Sequence, residues 1–305
     1  MKNKSLSIII VNYNAVKHLN ACLRSVLSSG IQIDYNIFIL DNASTDGSVD
    51  LIQKEYPNVI LLKNPKNVGY AKGNNIAIQK SSSDFILLLN PDTIVLNNSI
   101  QKMIDFINTN KSIGILGCRV IKPNGDLQWD SCGTYLTPLM FFIKESGLEK
   151  MIPSNRVLGS RLLTHWRRNS TRDVDWVSGA CMLIRREVVE SIGLLDDRFF
   201  SYMEDVDYCH RAHKKRWGIR FLHTAEIIHD SGASWKQRSD IHLLTSLISD
   251  KLYLHKYYGL SGAFYFKITY FIGCFFRLFF NILLKNRNRA RDHYRTIIWA
   301  FTGRI

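Results

Sequence analysis

Three sets of acidic residues stand where their side chains could do chemistry. Asp92 follows the apolar run Phe85-Ile-Leu-Leu-Leu89 and the breaker Asn90-Pro91. An acid at the carboxyl end of a buried strand can hold a divalent cation, and a cation can hold a diphosphate. The alternative is a cap on a helix that follows. Asp41 ends a second strand-like run, Tyr35–Leu40, and can accept the N–H of a base such as uracil or thymine. Glu204, Asp205 and Asp207 put three carboxylates into four positions at a predicted helix start. The helix dipole explains one of them. Mutual repulsion among three raises a pKa, which is what a general base requires.

Neutral and basic residues join these acids. Asn12 and Asn14 offer amides, and Tyr13 offers a ring for stacking. Gly69 and Gly73 permit close backbone approach, and Lys72 can reach a phosphate; turn chemistry alone also explains such loops. Trp176 either presents a flat face to a sugar or sits in the core. His229 ends a strand-like run, inside the pattern His229-x-x-Gly232-x-Ser234, as a ligand or a structural histidine. Arg167-Arg168 reads as solvated surface.

The elements that must position these residues alternate. Ser7–Val11, Tyr35–Leu40, Val59–Leu62 and Asp84–Leu89 read as buried strands, and helical spacing separates them. Residues 113–120, Cys181–Ile184, Gly218–Leu222 and Ala225–Ile228 read as further strands. The pattern implies an α/β fold, a mostly parallel sheet flanked by helices on both faces. Every strand of the first half ends in a polar loop, and in such sheets those loops gather on the ligand-binding edge.

Composition is ordinary for a folded chain of 305 residues, with 46% apolar and 22% charged residues. The formal charge of +14 is not ordinary. Residues 251–305 hold ten Lys/Arg and one Asp, so they supply +9 of it. Six cysteines lie scattered without CxxC spacing, which excludes a zinc finger or dithiol motif and suggests free thiols in a reducing compartment. The apolar run Ile8–Val11 is broken at once by Asn12, unlike a signal peptide.

Val11-Asn-Tyr-Asn14, Asp41-Asn-Ala-Ser-Thr-Asp46-Gly-Ser48, Asn67-Val-Gly69-Tyr-Ala-Lys-Gly-Asn74 and Leu89-Asn-Pro-Asp92 stand in an order and spacing that resembles glycosyltransferase family 2. The likeness spans roughly residues 5–235. It implies a GT-A fold and an inverting glycosyltransferase that takes one sugar from a nucleoside diphosphate-sugar, dTDP-rhamnose being the first donor to test. The acceptor class it implies is a saccharide or a polyprenyl-diphosphate-linked saccharide in bacterial cell-surface polysaccharide assembly. By the resemblance Asp205 is the catalytic base, and Glu204 is a helper that orients the acceptor or Arg211. Asn12, Tyr13, Asn14, Asp41, Asn67, Gly69, Lys72 and Asn74 bind the nucleotide-sugar. Asp92 and His229 hold Mg²⁺ or Mn²⁺, and Trp176, Ser178 and Gly179 bind the acceptor. Asn90 departs from the family's aspartate pair and leaves Asp92 as the direct ligand. His213-Lys-Lys-Arg216-Trp217 carries His where processive members have Gln, which favours transfer of a single sugar.

Residues 1–240 are expected to form the catalytic domain, with a nucleotide-sugar half at 1–112 and an acceptor half at 113–240. Residues 241–305 form a helical, basic and aromatic tail. The tail either packs as a helical hairpin on the catalytic domain or a second subunit, giving a homodimer, or lies in the inner face of the cell membrane with its cations toward lipid headgroups. Lys285–Arg291 favours the membrane. Two other classes stay open: a membrane-associated nucleotide-sugar-binding protein without chemistry, and a nucleic-acid binder using the basic tail, for which no motif speaks.

Overall fold

The computed structural model describes residues 4–151, 154–230 and 239–283, with side chains over 4–149, 154–230 and 244–273. The strands are β1 (Ser5–Asn12), β2 (Asp34–Asp41), β3 (Ile60–Lys63), β4 (Phe85–Leu89), β5 (Thr93–Leu96), β6 (Ile113–Ile121), β7 (Cys132–Gly133), β8 (Arg172–Asp173), β9 (Trp176–Val177), β10 (Cys181–Arg185) and β11 (Gly218–His229). The helices are α1 (Val16–Leu27), α2 (Ser48–Glu55), α3 (Tyr70–Lys80), α4 (Ser99–Thr109), α5 (Pro138–Ser146), α6 (Leu148–Met151), α7 (Arg186–Ile192), α8 (Glu204–Lys214) and α9 (Ser239–Leu283).

The main sheet has the order β3-β2-β1-β4-β10-β6-β11-β5, with β8 beside β11. β3, β2, β1 and β4 run parallel to one another, and so do β6 and β11. β10 runs antiparallel to both neighbours and β5 antiparallel to β11. The mixed α/β architecture with a mostly parallel sheet is therefore the observed one. Ile8, Ile10, Ile37, Ile39, Leu87 and Leu183 form the sheet side of the core, and Leu19, Leu23, Val26, Met103 and Ile107 pack on them from α1 and α4. The central strands are continuous apolar runs because helices cover both faces.

Three local features depart from the sequence reading. Asp92 does not open a helix: β5 begins at Thr93, and α4 starts only at Ser99. That removes the capping explanation for Asp92. The two strands expected at 218–222 and 225–228 are one strand, β11, whose register with β6 shifts between Leu222 and Glu226. Arg168 is not solvated surface but fully buried. Its Nη2 donates to the carbonyls of Trp129 and Cys132 at 3.1 and 2.9 Å, and its guanidinium lies over the Trp129 and Phe221 rings. Such a guanidinium carries aromatic stacking as well as charge, so a buried place suits it.

The chain divides into two compact units, residues 1–133 with 168–237, and residues 134–167 with 238–305. The second thus gathers residues 134–167, which the sequence reading put in the acceptor half, with the tail. Within it Thr137 caps α5 by accepting from the Met140 N–H, and Pro138 stands in the first turn. α5 packs on α9 through stacked Phe141 and Phe266 rings, centroids 5.1 Å apart, and through an ion pair between Lys144 and buried Asp250. α9 breaks at Gly259, whose φ of 61° is left-handed. Among the described residues no helix is long and apolar enough to cross a membrane. Gly232, Ser234 and the cluster Lys285–Arg291 lie outside the described residues.

Candidate active site

Strand directions bring the loops to one edge. The carboxyl ends of β1, β2, β3 and β4 lie together because these strands are parallel. β10 runs the other way, so its start, next to Gly179 and Ala180, meets the end of β4. β6 runs opposite to β10 and β11 follows β6, which brings His229 to the same edge, paired with Thr93 at the start of β5. Asp41, Asp92, Asp205 and His229 all belong to the first unit.

The Asp41 region is tightly hydrogen bonded. Oδ1 of buried Asp41 accepts from Asn12 Nδ2 at 2.8 Å and Oδ2 from the Ser44 N–H at 2.9 Å. Asn12 Nδ2 also donates to the Ser44 hydroxyl, which accepts the Asn14 N–H. Asn14 Oδ1 in turn accepts the Thr45 N–H. Asn12, Asn14 and Asp41 thus form one network, beside which Tyr13 is 48% exposed and free to stack on a flat ligand. Asp46 accepts from the Val16 and Ser48 N–H groups and so caps the starts of α1 and α2.

The second loop is shaped by backbone fit. Asn67 Oδ1 accepts the Gly69 N–H, and the Gly69 carbonyl accepts from Asn42 Nδ2. Gly69 has φ +85°, and a Cβ there would lie 2.4 Å from the Phe200 carbonyl oxygen. No other residue type fits. Tyr70 then donates its hydroxyl to the Gly179 carbonyl at 2.7 Å. Asn74 is buried and donates to the Tyr70 carbonyl, so it serves α3. Lys72 is exposed and lies 3.9 Å from Asp197, an exposed pair of small energetic weight. Asn67 and Asn74 thus direct these hydrogen bonds to the protein itself, while Lys72 keeps its reach.

Asp205 sits at the start of α8. The residues before it, Tyr202 and Met203, have φ of 70° and 66°. Two successive left-handed non-glycine residues are strained, a condition found where the chain must aim a functional group. Asp205 Oδ2 accepts the Gly179 N–H at 3.0 Å, and Oδ1 accepts the Val206 N–H at 2.8 Å. Burial pushes the Asp205 carboxyl up, against the pull of those N–H groups, and the charge of Asp130 pushes it further. Glu204 is 6% exposed, and its Oε2 has no hydrogen-bond partner. Burial first, and the Asp205 charge second, hold Glu204 well above the usual carboxylate range. Arg211 is not oriented by Glu204. Its Nε donates to buried Asp207 at 2.9 Å, and its Nη atoms donate to the Ile192 and Leu194 carbonyls.

Gly179 also limits the space above it, since a Cβ there would lie 2.8 Å from the Tyr70 hydroxyl. Ser178 donates its N–H to the Ser131 carbonyl and its hydroxyl accepts from Ala180. Trp176 is 7% exposed on β9, paired with β7, so it is a buried tryptophan and not an open platform. The Ala180 carbonyl accepts the Asn90 N–H at 3.1 Å, which sets the Asp92 turn beside the segment that holds Asp205.

Asp92 and His229 form the remaining pair. His229 Nε2 lies 3.2 Å from Asp92 Oδ1 and 3.2 Å from Asn90 Nδ2, and Nδ1 lies 3.1 Å from Gln128 Oε1. Among the described residues no three His, Cys, Asp or Glu side chains converge into a metal cage. One carboxylate and one imidazole nevertheless fit Mg²⁺ or Mn²⁺, which commonly take one or two protein ligands and complete their shell with phosphate oxygens and water. The sequence reading missed Gln128, Ser44, Tyr70 and Asp130. Ser44 stood in a turn-and-cap pattern; Gln128 gave no local signal.

The sequence pattern of the family described as "Glycosyl transferase family 2" matches residues 7–193. The chain is similar to the N-acetylglucosaminyl-diphospho-decaprenol L-rhamnosyltransferase of Mycobacterium tuberculosis, 28% identical over 264 residues, or 82% of this chain and 83% of that one. Among solved structures it is similar to a mannosyltransferase from Pyrobaculum calidifontis in complex with GDP-Man and Mn²⁺. There the TM-score is 0.55 at 12% identity, over 97% of this chain and 87% of that one. A GalNAc-T7 structure with UDP, GalNAc and Mn²⁺ matches with TM-score 0.58 at 16% identity, over 85% of this chain. The chain spans about half of that structure's length, 52%.

Proposed function

The chain belongs to glycosyl transferase family 2 and is a glycosyltransferase, and from that premise we propose an inverting enzyme that transfers one sugar from a nucleoside diphosphate-sugar. dTDP-rhamnose is the first donor and a polyprenyl-diphosphate-linked saccharide the first acceptor, in keeping with the mycobacterial relative. The observation that carries the reading is the contact of Asp205 with the Gly179 N–H, one residue from the Ala180 carbonyl that receives Asn90. It puts a carboxylate of raised proton affinity beside the turn that carries Asp92.

In this reading the Asn12, Asn14 and Asp41 network holds the base, with Tyr13 stacked on it. Gly69 and Lys72 face the diphosphate; Asn67 and Asn74 hold that loop and α3. Asp205 takes the proton of the acceptor hydroxyl. The acceptor oxygen forms its bond to the anomeric carbon from the face opposite the diphosphate. The bond from that carbon to the diphosphate oxygen breaks, and the nucleoside diphosphate leaves with the electron pair. Asp92 and His229 are the residues that would hold Mg²⁺ or Mn²⁺, which supplies positive charge to the leaving group. Ser178 and Gly179 line the acceptor side. Trp176 supports it from below as packing.

The tail is proposed to rest on the inner face of the cell membrane. Leu260, Phe264, Ile268, Phe271 and Ile272 of α9 are exposed at helical spacing, and the sequence from 251 on carries ten Lys/Arg. The test of the catalytic reading is a donor panel of UDP-, GDP- and dTDP-sugars with and without Mn²⁺. Consumption of one donor only when an acceptor saccharide is present supports transfer. Tight donor binding without consumption, whatever the acceptor, overturns it.

A further inference from the structure

The His229 ring stands between two groups whose hydrogen-bonding characters differ. On one side is Gln128 Oε1, an acceptor, 3.1 Å from Nδ1. On the other are Asn90 Nδ2, a donor, and Asp92 Oδ1, an acceptor, each 3.2 Å from Nε2. If Nε2 carried the proton, it could donate to Asp92 Oδ1, but two contacts would clash: Nε2–H would also meet the Asn90 amide N–H, and Nδ1 would set its lone pair against a carbonyl oxygen. If Nδ1 carries the proton, both of those contacts become hydrogen bonds. One contact is then left without a proton: Nε2, which accepts only from Asn90, and Asp92 Oδ1 face each other lone pair to lone pair. Two lone pairs at that separation suit a cation shared between them.

We infer that Gln128 is a positioning residue for this cation site, holding His229 in the Nδ1–H tautomer so that Nε2 stays bare toward Asp92. The inference rests on the reading of Asp92 and His229 as metal ligands. Gln128 is built for the task. It is 4% exposed, and its N–H donates to the Val120 carbonyl at 2.9 Å. The turn that follows it is held through the Trp129 and Cys132 carbonyls by buried Arg168. A ligating histidine whose second nitrogen is fixed by a buried carbonyl is both oriented and made more basic at the ligating atom. Asn90 complements this arrangement, because its amide satisfies Nε2 until a cation displaces it.

Two measurements test the inference. Long-range ¹H–¹⁵N NMR of the metal-free wild-type chain reads the His229 tautomer directly, and the Nδ1–H form is expected; the Nε2–H form overturns the inference. Mn²⁺ binding, followed by the EPR signal of free Mn²⁺ with and without dTDP, reads the consequence. Gln128→Met keeps the bulk but removes the acceptor, and should weaken Mn²⁺ by about ten- to a hundredfold. Gln128→Glu keeps an acceptor for the Nδ1–H and should stay within a few-fold of wild type. Wild-type affinity in Gln128→Met, with an unchanged thermal melt, overturns the role of Gln128. His229→Ala separates the two layers. If it binds Mn²⁺ as wild type does, the metal reading itself fails; if only it loses Mn²⁺ while Gln128→Met does not, the positioning role alone fails.

Discussion

Two loops at the same sheet edge treat their carboxylates in opposite ways. At Asp46, in the loop that follows Asp41, donors outweigh burial. Burial works to raise Asp46, but the Ser48 hydroxyl and the Val16 and Ser48 N–H groups outweigh it and hold the carboxyl below its usual range. Asp41 likewise has both oxygens occupied by donors. Between Ser201 and Val206 the balance reverses. Asp205 also receives two N–H groups, yet burial wins and its proton affinity rises. Glu204 beside it has one oxygen with no donor at all. A carboxylate saturated with donors is a fixed acceptor, suited to binding. One whose burial outweighs its donors is a proton carrier, suited to chemistry. The strained pair Tyr202 and Met203 leads directly into Glu204 and Asp205.

The comparison breaks most visibly at Asp205. Asp205→Asn should lower transfer by about 10²–10⁴-fold, the usual weight of a general base, and leave dTDP or UDP binding unchanged by calorimetry. In the wild type the base must be ionised, so kcat/KM should fall as pH drops through the raised pKa. That acid limb should lie above the ordinary aspartate value of about 3.9, and a limb at or below it would remove the distinction between the loops. Next in size is Arg211→Met, which takes away the ion-pair partner of buried Asp207. It should cost about 3 kcal/mol in denaturant unfolding, because that pair anchors the helix start that carries Asp205. Asp41→Asn should do the reverse of Asp205→Asn. Nucleotide affinity should fall by about 10–100-fold, the worth of a hydrogen bond to a charged group, with the transfer rate at saturating donor little changed.

The fold was legible because its strands are continuous apolar runs, each closed by a polar loop at nearly the observed position. Asp41, Asp92, Asp205 and His229 could be placed for the same reason: a strand end or helix start names its own residue. What escaped the sequence was set by contacts distant along the chain. Gln128 meets His229 across 101 positions, and Tyr70 meets Gly179 across 109. Arg168 was misread because its stacking partners Trp129 and Phe221 lie far away in the chain. The membership of residues 134–167 rests on packing between α5 and α9, and no local pattern carries that.

The smallest predicted effect on rate is also the sharpest probe of the second loop. Burial and the neighbouring Asp205 charge hold Glu204 well above its ordinary range, so it keeps its proton to higher pH than a free glutamate, and a glutamine mimics that protonated form. Glu204→Gln should therefore keep transfer within a few-fold of wild type at pH 7, whereas an ionised, acceptor-orienting glutamate would lose far more. Stability gives the independent reading. A carboxyl whose folded pKa is raised binds its proton more tightly folded than unfolded, so its contribution is fully present below the unfolded value of about 4.3 and is lost as pH rises toward the folded value. The glutamine carries no such loss. Tm of Glu204→Gln should thus exceed that of wild type at pH 7, and the gap should close as pH approaches 4. Equal melting temperatures across that range would mean that Glu204 folds with ordinary proton affinity, and the loop from Ser201 to Val206 would then lose the property that sets it apart from the loop at Asp41.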